Sequence, residues 1–74
     1  MTGAPPLLVR LSRPELAAEL AAALSRAECL CARVGEGAVL VLHREAEDER
    51  EARVELGFFL RAWAGGRELV AELI

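Results

Sequence analysis

Cys29, Cys31 and His43 are the side chains of this sequence best equipped for chemistry, its two thiols and its one imidazole. Thiolates and imidazoles bind soft metals, and a thiol beside a base is the core of a nucleophile. The spacing narrows these options. Cysteines at i and i+2 of an extended strand have Cα atoms about 6.5–7 Å apart and parallel side chains, at the limit of what a disulfide bridges. The thiols therefore read as reduced, which fits a cytoplasmic setting. A closed zinc site takes four ligands. Cys29, Cys31 and His43 supply three, so a thiol- or metal-binding carrier built on them needs a partner to complete the shell.

No other constellation rises above this one. The acids Glu45, Glu47, Asp48, Glu49 and Glu51 crowd together, but Asp48 and Glu51 have the spacing of a helix capping box. Acids collect at a helix N-terminus because the dipole favours them there. Gly35-Glu36-Gly37 lacks the following helix that a phosphate-binding loop requires. No serine or threonine has an evident base beside it. The expectation is a non-catalytic protein without a cofactor.

Composition excludes more. The net charge is −3 and all basic residues are arginine. Nucleic-acid binders carry a basic face and stacking aromatics; here Phe58, Phe59 and Trp63 fall in one helical stretch. No nucleic-acid partner is expected. No segment approaches the ~20 apolar residues of a membrane span, and the start, MTGAPPLLVRLS, lacks a signal peptide's basic and apolar regions.

The elements that must position the three residues follow from periodicity. MTGAPP (1–6) reads as a disordered leader, and 7–74 as a single domain. LLVRLS (7–12) alternates like a half-buried strand, with Leu7, Val9 and Leu11 inward. SRPE (12–15) is a capping box that starts a helix over 13–27, whose stripe is Leu16, Leu20 and Leu24. Strands follow near 29–34 and 38–43. A second capping box, DERE (48–51), opens a helix with the face Ala52, Leu56, Phe59, Leu60 and Trp63, ended by Gly65-Gly66. Gly57 within it suggests close approach to a neighbouring backbone. RELVAELI (67–74) fits a helical face through Leu69, Val70, Leu73 and Ile74 and also alternates as a strand with Leu69, Ala71 and Leu73 inward. The strand is preferred because two glycines have just ended a helix.

The order β-α-β-β-α-β closes most simply as an antiparallel four-stranded sheet, order 4-1-3-2, with both helices on one face. This α+β two-layer sandwich resembles the ferredoxin-like fold. That frame hosts many functions, and the sequence departs from three of its families. SRPE stands where heavy-metal-associated domains carry Cys-x-x-Cys. Val9, Leu11, Val39 and Val41 stand where RNA-recognition domains carry aromatics. Ser12-Arg13-Pro14 replaces the glycine of amino-acid-sensing ACT domains.

A three-residue Gly35-Glu36-Gly37 turn pairs Cys29 with His43 and Cys31 with Val41. A two-residue loop would shift the register by one and bury Val39, Val41 and His43 instead. The cost of burying the imidazole favours the longer loop. Keeping Arg33 and the imidazole out of the core turns Leu30, Ala32, Leu40 and Leu42 toward the helices. Cys29, Cys31, Val39, Val41 and His43 then lie on the uncovered face, with Leu8 and Val70 from the other strands. An apolar surface formed by Leu8, Cys29, Cys31, Val39, Val41 and Val70 is larger than a small monomer leaves wet. The expectation is a self-associating interaction or regulatory module: a homodimer, or a protein docked on this face, with room for a small molecule at the interface.

Overall fold

The structure is a computed structural model and describes residues 3–74. Strands β1 (Leu7–Leu11), β2 (Cys29–Arg33), β3 (Ala38–His43) and β4 (Ala71–Leu73) alternate with helices α1 (Ala17–Arg26) and α2 (Glu49–Ala64). The strands form one antiparallel sheet in the order β2-β3-β1-β4. This is the order expected from the connections, read from the opposite edge.

One face of the sheet carries the core. Leu7, Val9 and Leu11 of β1 and Val39 and Val41 of β3 pack against Ala17, Leu20 and Leu24 of α1 and Ala52, Leu56, Leu60 and Trp63 of α2. Each fully buried leucine or valine stabilises the fold by about 1.5–3 kcal/mol. Of the stretch read as a leader, residues 1 and 2 lie outside the described residues. From there on, the Gly3 amide donates to the Glu47 carbonyl at 3.1 Å, and Ala4 is buried in the core cluster.

The hairpin register is the expected one. Cys29 faces His43, Cys31 faces Val41 and Arg33 faces Val39. Gly35 and Gly37 both adopt positive φ, 73° and 71°, and the Val34 amide closes the turn on the Ala38 carbonyl at 3.0 Å. Gly37 is doubly required. A Cβ there would stand 3.1 Å from the Leu11 carbonyl oxygen, because that glycine's own carbonyl extends the β1–β3 ladder by accepting from Leu11 at 2.7 Å.

The side chains of the hairpin, however, point opposite to expectation. Val39 and Val41 are fully buried and Cys29 is buried beneath the helices, while Leu30 is 54% exposed on the uncovered face. Two polar residues had argued for the reverse, and both sit at strand ends. Arg33 occupies the last position of β2 and is exposed although its strand face turns inward. His43 ends β3 and finds a carboxylate on α2. Neither imposes the desolvation penalty that would reverse the face.

Two local expectations also fail for physical reasons. The hydroxyl of Ser12 does not cap a helix. It accepts from the Val70 amide at 2.9 Å, and the Ser12 amide donates to the Val70 carbonyl, so Ser12 ties β1 to the start of β4. The chain enters α1 instead through a 3-10 turn, Pro14–Leu16, without a side-chain cap. At Gly57 a Cβ would meet nothing within 4 Å, so no backbone approaches it. The Asp48 cap does form, its carboxylate accepting the Glu51 amide at 2.8 Å. β4 is shorter than the strand expected over 67–74; residues 65–68 form a turn with Glu68 at φ 47°. That turn is pinned by Arg67, which donates to the Trp63 carbonyl and to Glu19 of α1 and lies over the Trp63 ring.

Candidate functional site

The three chemistry-bearing residues do not share one site. Cys29 and His43, opposed across the β2–β3 ladder, open into a cleft of about 260 Å³ beneath α2, lined also by Leu24, Ala27, Glu45, Glu55 and Phe59. Cys31 lies two residues along β2, half-buried under the helices and outside that cleft.

The cleft has a defined polarity. His43 Nε2 lies 2.5 Å from Glu55 Oε1, and the Glu45 amide donates to Nδ1 at 3.3 Å. An amide donor at Nδ1 leaves the ring proton on Nε2, facing the Glu55 carboxylate. Both ring nitrogens are thus engaged, and neither is directed at the Cys29 thiol, whose own contact is the Ala27 carbonyl at 3.8 Å. Burial, reinforced by the Glu55 charge, pushes the Cys29 thiol above its ordinary value; burial, and then the neighbouring Cys29, do the same to Cys31. Protonated thiols are poor nucleophiles and poor ligands. Among the described residues, no group of three or more histidine, cysteine, aspartate or glutamate side chains is placed to hold a metal ion.

Glu55 is the residue the sequence reading missed, while Glu45, read there only as part of an acidic cluster, contributes its backbone amide. The signal was available only in part: once His43 turns inward, an acid on the flank of α2 is the partner to look for, and Glu55 is one of three in its first two turns, with Glu49 and Glu51.

The second candidate is the uncovered face of the sheet. Of the six residues expected there, Leu8 is half-buried on it and Val70 is 66% exposed, whereas Cys29, Cys31, Val39 and Val41 belong to the helix side. Their places are taken by Leu30, Ala32, Leu40 and Leu42. Leu30 lies opposite Leu42, Ala32 opposite Leu40, and Leu40 opposite Leu8. Ile74, 45% exposed, extends this row through the bond from its amide to the Leu8 carbonyl. Charge is confined to one corner, where Arg10 and Glu72 are opposed across β1 and β4. The face is an aliphatic field across the hairpin and β1, polar only toward β4.

No helix of the described residues is long and apolar enough to cross a membrane. No family model, curated protein or solved structure matches this sequence.

Proposed function

We propose that this protein is a small non-catalytic interaction module, built on a ferredoxin-like frame and acting in the reducing cytoplasm, that self-associates through the open face of its sheet. The observation that carries this reading is β3. Its run Ala38-Val39-Leu40-Val41-Leu42 is apolar at consecutive positions, the pattern of a strand buried on both sides, yet helices cover only one side. Leu8, Leu30, Leu40 and Leu42 stand on the other without a charged residue among them.

Stacking two such sheets about 10 Å apart would bury these leucines as the inner faces of a sandwich do. The free thiols, held protonated by burial, agree with a reducing compartment. The engaged imidazole gives the cleft a structural role: the His43–Glu55 contact fastens the open end of the hairpin to α2.

The test is Leu40→Glu. Leu40 lies outside the helix-side core, so the variant keeps the far-UV dichroism of the parent. Its mass in native mass spectrometry at low micromolar concentration is half that of the parent. An unchanged assembly mass would sink the reading.

A further inference from the structure

A second contact surface lies at the β4 edge of the sheet. Antiparallel ladders alternate between pairs that exchange hydrogen bonds and pairs that do not. The Ile74 amide donates to the Leu8 carbonyl and the Ser12 amide to the Val70 carbonyl, so the even-numbered residues of β4 face β1. Ala71 and Leu73, opposite Leu11 and Val9, therefore direct their amides and carbonyls away from the sheet. The edge carries no proline and no lysine, and its protection is limited to the shortness of β4 and the charge of Glu72.

Beside it runs a groove of about 430 Å³ between β4 and α2, lined by Gly57, Leu60, Arg61, Ala64 and, from β4 and the residues before it, Leu69, Ala71 and Leu73. Gly57 helps keep it open, since the space a side chain would fill there is empty. The one charged side chain lining the groove is that of Arg61. Arg53, about two helical turns back, donates to the Ile74 carbonyl at 3.0 Å and adds a second cation at its end.

An unpaired edge beside an apolar, basic groove takes an extended strand with alternate apolar side chains and acids between or beside them. The molecule carries such a strand itself. In Leu69-Val70-Ala71-Glu72-Leu73, whose last three residues are β4, Leu69, Ala71 and Leu73 lie on the helix side, with Glu68 just before them in the turn. We infer that a second copy of this chain fills the groove, its β4 adding antiparallel to the first across a two-fold axis at Ala71.

That register is self-complementary, as a two-fold contact must be. Ala71 exchanges both backbone bonds with its equivalent. Leu69 of each copy meets Leu73 of the other beneath α2. Glu68, in the turn just before the paired segment, is carried toward Ile74 and Arg53, whose guanidinium also holds Glu49. The sheet becomes continuous over both copies. This contact runs along the β4 edge and α2 and does not use Leu30, Leu40 and Leu42 of the open face, so the two are tested separately.

Two variants test it by native mass spectrometry. Ala71→Pro removes an outward amide that β1 does not use, a substitution edge strands accept. Gly57→Gln fills the groove from a helix position with free space around it. Each is expected to halve the assembly mass of the parent while dichroism is unchanged. In a Leu40→Glu background, where only the edge contact is left, either is expected to convert dimer to monomer. A parent mass retained by both variants, or a Leu40→Glu protein that is already monomeric at tens of micromolar, overturns the edge contact. If Leu40→Glu leaves the mass untouched while Ala71→Pro halves it, the open-face reading fails and the edge contact stands.

Discussion

The two faces of the sheet are both apolar, but they are built from different side chains. The covered face presents Val9, Val39 and Val41 in its middle, all at or below 1% exposure. The uncovered face presents Leu8, Leu30, Leu40 and Leu42. β-branched side chains stiff at χ1 fill a fixed interior against helices. Leucines, longer and with more freedom, stand where the single chain offers no cover. The contrast teaches that alternation alone does not orient a strand whose two faces are both hydrophobic. It is also the ground for the proposal that the open face is a contact surface.

Neighbouring residues of β3 should therefore respond in opposite ways to the same substitution. Val41→Glu places a carboxylate in the core and is expected to cost about 4 kcal/mol or more, enough to unfold a domain of this size. Leu40→Glu, one residue away, is expected to cost about 1 kcal/mol and to change assembly instead. Urea denaturation of the two variants, read by dichroism, separates them; equal losses would erase the distinction between the faces.

Smaller effects sharpen the comparison at its margins. Glu55→Ala removes the carboxylate that lets His43 turn toward the helices. A loss of about 1 kcal/mol is expected, below the usual value for a charged hydrogen bond because Glu55 is half exposed. No loss in thermal unfolding would mean that His43 needs no partner on the covered side.

The thiols report on the same side through pH. Both have folded values raised above their ordinary 9.0, so the unfolded chain ionises first. Stability is then fully present below about pH 9 and falls as the pH rises beyond it. The urea midpoint should drop between about pH 8 and about pH 10, and Cys29→Ala should flatten the slope. A midpoint that rises over that interval would contradict burial of the thiols. Smallest of all, in a monomeric Leu40→Glu, Ala71→Pro background Gly57→Ala fills space that is empty in the single chain and should stabilise it by about 0.8–1 kcal/mol. A destabilised variant would place an unseen neighbour there.

Much of the frame was legible because its signals are local or combinatorial. The strand order follows from connection rules, the hairpin register from the Gly35-Glu36-Gly37 turn, and the α2 start from Asp48 meeting the Glu51 amide. What escaped depends on partners distant in sequence. Arg10, in the middle of β1 with Glu72 across from it, oriented its strand correctly. Arg33 and His43 misled because strand ends let a polar group reach water or a helix. Ser12 has the motif of a cap, but its hydroxyl is claimed by Val70, a competitor that no local pattern reveals. The cleft was half legible: Cys29 and His43 were paired from the register, whereas Glu55 enters only once the face is known.

The most direct test of the account is the assembly mass of the parent protein and of Leu40→Glu, measured side by side by native mass spectrometry on reduced protein at low micromolar concentration. The account predicts an assembled parent and a folded Leu40→Glu variant at half its mass. A monomeric parent, or a variant indistinguishable from it, would contradict the claim that the leucine face is a contact surface.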